Sequence, residues 1–324
     1  MATIKDVAEK AQVSVTTVSR VLNNRGYISQ ATREKVFRIM KEMNYQPNEI
    51  ARSLMRKRSM MLGMIIPTIA HPFFGELAYH IENYASSLGY KMLICNSRMN
   101  QRKEKEYIDM LKSNRVDGII MGSHTLDVSE YIQLQQPIVT LDRRIADIPY
   151  VSSDNYRGGV LAAELLIRKG CRKIAHICGN LSLDLLGNLR SESFLDMLQK
   201  NDIETVVIEL GTDVFESEDY ENMITRLFED HPDLDGLFAS SDMIAANVIK
   251  VCASLGIAVP ERLKLIGYDN IQFAALTNPA LTTISQPLEE MGILAVDLID
   301  KLVSGEQVGM EHILPVTLIE RSST

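Results

Sequence analysis

The fold class predicted for this chain is an N-terminal all-α helix-turn-helix head followed by a larger α/β core of two parallel-sheet lobes. Three observations carry that reading. Charge changes sign along the chain: residues 1–58 hold twelve Lys and Arg against five Asp and Glu, whereas the remaining 266 hold twenty-two against thirty-seven. The opening segment reads as three short helices, with a turn between the first two too tight for anything but a helix pair. From Met60 onward, short apolar runs alternate with amphipathic stretches, the pattern of repeated β-α units. A small helical module with a net charge of about +7 is suited to a polyanion, and a helix pair in that module points to DNA.

The head elements are marked one by one. Thr3 precedes Ile4 with Asp6 three residues on, Ser14 precedes Val15 with Thr17 three on, and Ser29 precedes the third helix. Each supplies a side-chain oxygen for the unpaired N–H groups of a first turn. The helices are expected at Ile4 to Ala11, Val15 to Asn23 and Ser29 to Asn44. Ile4, Val7, Ala8, Ala11, Val18 and Val21 recur at three- or four-residue spacing, and Val36, Ile39, Met40 and Met43 extend the stripe into one small core. Pro47 breaks the pattern, Asn48 can cap a short helix through Met55, and Arg56, Lys57 and Arg58 form a charged lead into the next domain.

Beyond the linker, strands are expected at MMLGMII, KMLICNS, DGIIMG, PIVTLD, RKIAHICG, TVVIEL, DGLFAS and LKLIGYD. After Leu265 the pattern changes to an extended LTTISQP, a long helix from Leu288 to Leu302 and one last strand, HILPVTLIE. Such an ending fits two lobes between which the chain passes more than once. The domains are therefore expected at 1–46 for the head, 47–59 for hinge and linker, and 60–324 for the core. Within the core, one lobe takes about 60–155 and 286–312, the other about 156–285 and 313–324.

Composition excludes several functions. At 324 residues and 46% apolar, the chain can bury sizeable cores, yet no apolar run approaches the eighteen or so residues of a membrane span. The N-terminus runs into Lys5, Asp6 and Glu9 where a secretory signal would be apolar, so a cytoplasmic location is expected. Cys95, Cys171, Cys178 and Cys252 lack paired spacing and read as buried reduced thiols; neither a metal nor a cofactor is implied. No phosphate-binding loop, metal cluster or catalytic triad order appears, which argues against an enzyme. His71 could touch a ligand but reads more simply as a loop histidine, and the sixteen Met residues read as core filling.

The stretches IKDVAEKAQVSVTTVSRVLN, TREKV and NYQPNEIARSL resemble the head and hinge of the lactose-repressor (LacI) family. The resemblance implies that the second helix enters the major groove, where Val15, Thr16 and Arg20 face base edges. Thr16 can bond a base or touch a thymine methyl, and Arg20 can reach guanine O6 and N7. Thr3, Ser14, Thr17 and Asn23 would make phosphate or backbone contacts; for Thr3 and Ser14 the alternative is a cap and nothing more. The hinge segment from Asn48 to Met55 is expected to order on the operator. There Ala51 would allow close approach, Leu54 would wedge between base pairs, and Arg52 would contact the backbone or groove.

The resemblance continues through HPFFGELA, VDGIIMGS, LDRR, VSSDN, GGVLAAELL, RSESF, GLFASSDMIA, LIGYDNI and ALTTISQP. It implies a two-lobed core similar to the type I periplasmic sugar-binding proteins, with a ligand between the lobes. The candidate effector residues are Phe73 and Phe74 on the cleft wall, Asp142, Arg190, Phe215, Ser241, Asp242 and Asp269. For the aspartates the alternative is helix capping or pairing across the cleft, and for one of the two phenylalanines it is plain core. Asp184 and Leu186 stand where the purine-responsive branch has an arginine and a threonine, which argues against a purine. Other stretches are most similar to the branches that repress sucrose and ribose operons. The resemblance thus implies a homodimeric, sugar-controlled repressor of a near-palindromic operator. A global catabolite regulator using a phosphorylated carrier protein is the nearest alternative; a stand-alone sugar-binding protein or an enzyme on the same core is a more distant one.

Overall fold

The computed structural model describes residues 2–23, 25–46, 58–123, 125–126, 128–132, 136–211 and 220–324. Two compact units divide at Ser59 and Met60. In the first, α1 (Ile4–Ala11), α2 (Val15–Leu22) and α3 (Gln30–Glu42) enclose the core expected from the apolar stripe, with Val7, Ala11, Val18 and Val36 fully buried. The caps form as the spacing requires. Thr3 accepts from the Asp6 N–H while Asp6 takes the Thr3 N–H at 2.7 Å, and the Ser14 and Ser29 hydroxyls accept from Thr17 and Thr32. Three residues, Gln12 to Ser14, make the turn, with Gln12 in the left-handed region at φ 51° to end α1. The expected linker elements from Pro47 through Lys57 lie outside the described residues.

The second unit contains two six-stranded sheets. The first has the order β2-β1-β3-β4-β5-β11, all parallel, from β1 (Met61–Ile66), β2 (Lys91–Asn96), β3 (Gly118–Met121), β4 (Ile138–Leu141), β5 (Tyr150–Ser153) and β11 (Glu311–Leu314). The second repeats the order as β7-β6-β8-β9-β10-β12, from β6 (Lys173–Cys178), β7 (Glu204–Glu209), β8 (Gly236–Ala239), β9 (Lys264–Asp269), β10 (Thr282–Ser285) and β12 (Thr317–Ile319). Only its last pairing is antiparallel among the described residues. The central strands β3, β4, β5 and β8 are buried throughout, as sheets covered on both faces demand.

Helices α4 (Pro72–Ser87) and α11 (Leu288–Val303) cover one face of the first sheet, and α5 (Gln101–Ser113) lies on the other with the short α6 (Val128–Ile132). The second sheet is covered by α7 (Asn155–Arg168) and α8 (Leu189–Lys200) on one side, and by α9 (Tyr220–Asp230) and α10 (Asp242–Leu255) on the other. Helix α11 follows β10 in the chain yet packs in the first lobe. The chain therefore crosses between lobes three times, near 154, 286 and 316.

Two expectations need correction. HILPVTLIE is two strands, broken at Leu314–Thr317, which pair in different sheets. Pro315, which has no N–H for a ladder, sits at the break. Tyr150–Ser153, which was not among the expected strands, is β5 and an inner member of the first sheet.

Candidate functional site

On the head, α2 presents Val15, Thr16 and Arg20 to solvent while Val18 and Val21 turn inward. This is the division an element needs if one face is to read a ligand and the other to hold the module together. Thr3 and Ser14 act as caps and stay exposed, so both of their expected roles are compatible with one geometry. Thr17 is half-buried, with its hydroxyl 2.9 Å from that of Ser14. Asn23 ends α2 and spends its amide on the Ser19 carbonyl at 2.9 Å. Asn48, Ala51, Arg52 and Leu54 fall outside the described residues, as does Phe215 in the core.

In the core, the candidate residues gather where the strands end. Both sheets reverse their winding beside their first strand, and the crevice outside the carboxyl ends at such points is where ligands bind in open α/β sheets. Asp142 follows β4 in the left-handed region at φ 53° and accepts from the Ser152 hydroxyl at 2.7 Å. Asp269 ends β9, and its carboxylate accepts from the Gln286 amide at 2.7 Å. Gln286 in turn accepts from the Ser153 hydroxyl at 2.7 Å, so the bond chain joins the two lobes. Burial and the Asp242 charge push Asp269 well above the usual carboxylate range, against the opposing pull of the Arg190 guanidinium.

The Arg190 guanidinium carbon lies over the Tyr268 ring, 3.6 Å from its centroid. Its Nε donates to Asn155 Oδ1 at 2.9 Å, a terminal nitrogen donates to the same oxygen, and the other donates to the Ser240 carbonyl at 3.0 Å. Of five N–H donors, two remain once the described partners are served. The tight seat of this arginine explains a pair of glycines. A Cβ on Gly159 would lie 2.0 Å from the Arg190 carbonyl oxygen, and one on Gly158 would lie 2.6 Å from the Tyr268 hydroxyl. No other residue lets α7 approach so closely.

Four of the expected effector residues, Ser241, Asp242, Phe73 and Phe74, are engaged within the protein. Asp242 has no exposed surface; its carboxylate accepts from the Thr283 hydroxyl at 2.6 Å and the Ile271 N–H at 3.0 Å. It ties the ends of β9 and β10 to the start of α10 and is not presented to the cleft, which corrects its place among ligand contacts. Burial lifts its pKa to about 7. Ser241 caps α10 through its hydroxyl. Phe73 is core, and Phe74 packs on it edge-to-face at 5.1 Å. The same cluster takes in Met243, Ile271 and Phe273 from the second lobe, so this wall is an apolar seam between lobes. Beside it, Glu76 accepts the Gln272 N–H at 2.8 Å across the same divide.

Sequence reasoning missed Ser152, Ser153, Asn155, Tyr268 and Gln286. The available signal was the polar run SSDN at a crossover, its first two residues lying in a buried strand. A cavity of about 500 Å³ opens at the crossovers between Glu76, His80, Asn270, Pro287 and Pro315, with Asp269 and Gln286 in its wall. Glu289 and Glu290 also line it, whereas Arg190 and Asp142 do not.

Comparison with known proteins agrees with this arrangement. Residues 3–48 match the model for bacterial regulatory proteins of the lacI family, and residues 163–324 match a periplasmic binding protein-like domain. The chain is 39% identical over 326 residues to a ribose operon repressor from Halalkalibacterium halodurans, covering 100% of this chain and 97% of that one. It is also 39% identical over 324 residues to a sucrose operon repressor from Streptococcus mutans, with 100% and 99% covered. Among solved structures, the lac repressor dimer bound to operator and the anti-inducer ONPF superposes with a TM-score of 0.88 at 28% identity, covering 99% of this chain and 98% of that one. With a basic three-helix head and a two-lobed core holding a buried polar network, the chain belongs to the LacI family of DNA-binding transcriptional repressors.

Proposed function

We propose that this protein represses a carbohydrate-utilisation operon in the cytoplasm and is switched by a neutral sugar of the ribose, sucrose or fructose type. The observation that carries the reading is the convergence of Arg190, Asp269 and Asp142 on one inter-lobe crevice through short polar intermediaries. A polyol needs such paired donors and acceptors, and the acidic balance there disfavours a phosphate. The relatives at 39% identity are named for ribose and sucrose operons, which narrows the class without choosing within it. Nothing in the contacts above speaks for a phosphorylated carrier protein as partner.

On the DNA side, two heads of a homodimer would read the halves of a near-palindromic operator through Val15, Thr16 and Arg20. Thr3, Ser14 and Thr17 would fix register on phosphates, and the hinge would place Leu54 in the minor groove. Sugar binding would change the separation of the lobes and thereby the register of the paired hinges.

The test is an operator titration with D-ribose, sucrose and D-fructose on the parent chain and on Asp269→Asn. One sugar is expected to shift operator affinity by roughly 5- to 150-fold in the parent, the range of a coupling of about 1–3 kcal/mol, and not in the variant. A shift retained in the variant would remove Asp269 from the effector site; no shift with any of the sugars would count against the sugar class.

A further inference from the structure

Asn155 connects two groups that the sugar reading places on opposite sides of the crevice. It is the first residue of α7, directly after the first crossover, and only 2% exposed. Its partners dictate how the amide faces. Arg190 has no acceptor, so Oδ1 must meet it, which leaves Nδ2 to donate to the Ser152 hydroxyl at 3.2 Å and the Ser153 carbonyl at 3.1 Å. Ser152 passes its own proton on to Asp142 at 2.7 Å. An unbroken series therefore runs from a guanidinium on α8 in the second lobe, through amide and hydroxyl, to a carboxylate at the end of β4 in the first.

We propose that the Asn155 side-chain amide is the relay by which a change at Arg190 reaches Asp142, a positioning residue that couples the two walls of the cleft. Three donors converge on its one oxygen: Arg190 Nε, an Arg190 terminal nitrogen and the Tyr268 hydroxyl at 3.3 Å. An oxygen so loaded polarises the N–H groups of the same amide, and withdrawing one donor weakens the bond those groups make at the far side. Arg190 can respond by changing its share of these bonds, because its guanidinium is held between the Tyr268 ring and the Ser240 carbonyl, while Gly159 and Gly158 bring α7 against the Arg190 backbone and the Tyr268 ring. Aspartate at this position would keep the shape and the bond to Arg190 but would have no proton for Ser152. Alanine would lose both ends.

The biological consequence rests on the cleft being the effector site, but the wiring is testable with no sugar at all. Hydrogen exchange read by mass spectrometry on the full chain would follow a peptide spanning 138–147, which contains Asp142, with a peptide in β1 as control. Arg190→Lys is introduced into the parent, into Asn155→Asp and into Asn155→Ala. In the parent it is expected to speed exchange of the 138–147 peptide by roughly threefold or more, within the coupling found between members of one hydrogen-bond network. In the Asn155 variants it should add nothing. Equal increments in all three backgrounds, or no increment in the parent, would overturn the relay. Should Asn155→Ala fail to fold, the isosteric Asn155→Asp still decides the matter. A protein deaf to every sugar would defeat the proposed function and leave this outcome standing.

Discussion

The head and the cleft solve recognition in opposite ways. On the head, Val15, Thr16 and Arg20, the residues proposed to read DNA, stand in solvent, and the structure invests only in fixing the backbone beneath them, through the Ser14 cap and the Val18–Val21 stripe. In the cleft, Asn155, Asp269 and Gln286 are buried, Gln286 bonding Asp269 directly and reaching Asn155 through Ser153. An exposed, separately mounted set should behave additively and be screened by salt; a buried, interlinked set should be non-additive and sensitive to protons. The two regions differ in what their side chains meet, and that difference can be measured.

The largest expected contrast is with pH, and its main source is in the core. His176 is fully buried, stacked on Phe238 at 4.9 Å and bonded to the Phe238 carbonyl and the Ser191 hydroxyl. Burial depresses its pKa from 6.5 to about 4. A depressed folded value means that the unfolded chain takes up the proton first, so stability is present above pH 6.5 and drains away as pH falls toward 4. The full effect is on the order of 3 kcal/mol. Calorimetry of the full chain from pH 7.5 to 4.5 should show the core transition losing stability, with the acid slope reduced in His176→Gln. An unchanged slope in that variant would assign the acid sensitivity to other groups.

Of intermediate size is the effect of Arg20→Ala, expected to relax base preference at one operator position by about 1–3 kcal/mol. A binding series over single-base operator variants checks it, and a loss uniform across all sequences would make Arg20 a phosphate contact. The smallest effect expected is about 1 kcal/mol from Ser14→Ala, which removes the cap under the reading helix. Thermal unfolding should register it in the head transition only; a matching change in the core transition would break the division drawn here.

Much of the fold was legible because its signals are local. Thr3, Ser14 and Ser29 announce helix starts within three residues, and inner strands such as MLGMII and KLIGYD are apolar on both faces because the sheets are covered on both sides. Where a signal depended on distant partners, reading failed. Tyr150–Ser153 is half polar yet completely buried, since its serines are satisfied by Asp142 and Gln286 from two other segments and by Asn155 just beyond the strand. HILPVTLIE has the composition of one strand and is two, because each half finds a different sheet. Asp242 has the residue type of a ligand contact but is claimed by Thr283 and Ile271, neighbours that only the folded β9–β10 pair supplies. Charges at strand ends can be found from sequence; the short amides and hydroxyls that wire them together cannot, because Asn, Gln and Ser carry the same signal in any turn.

Fluorescence anisotropy of a labelled near-palindromic duplex, titrated with the full chain at moderate salt with and without D-ribose, sucrose and D-fructose, addresses the coupling of these two regions most directly. Saturable binding whose midpoint moves by roughly fivefold or more with one of the sugars is the result expected if head and cleft are linked. Tight duplex binding with an identical midpoint in every sugar, alongside a calorimetric signal for one of them occupying the cleft, would show two working sites with no connection between them.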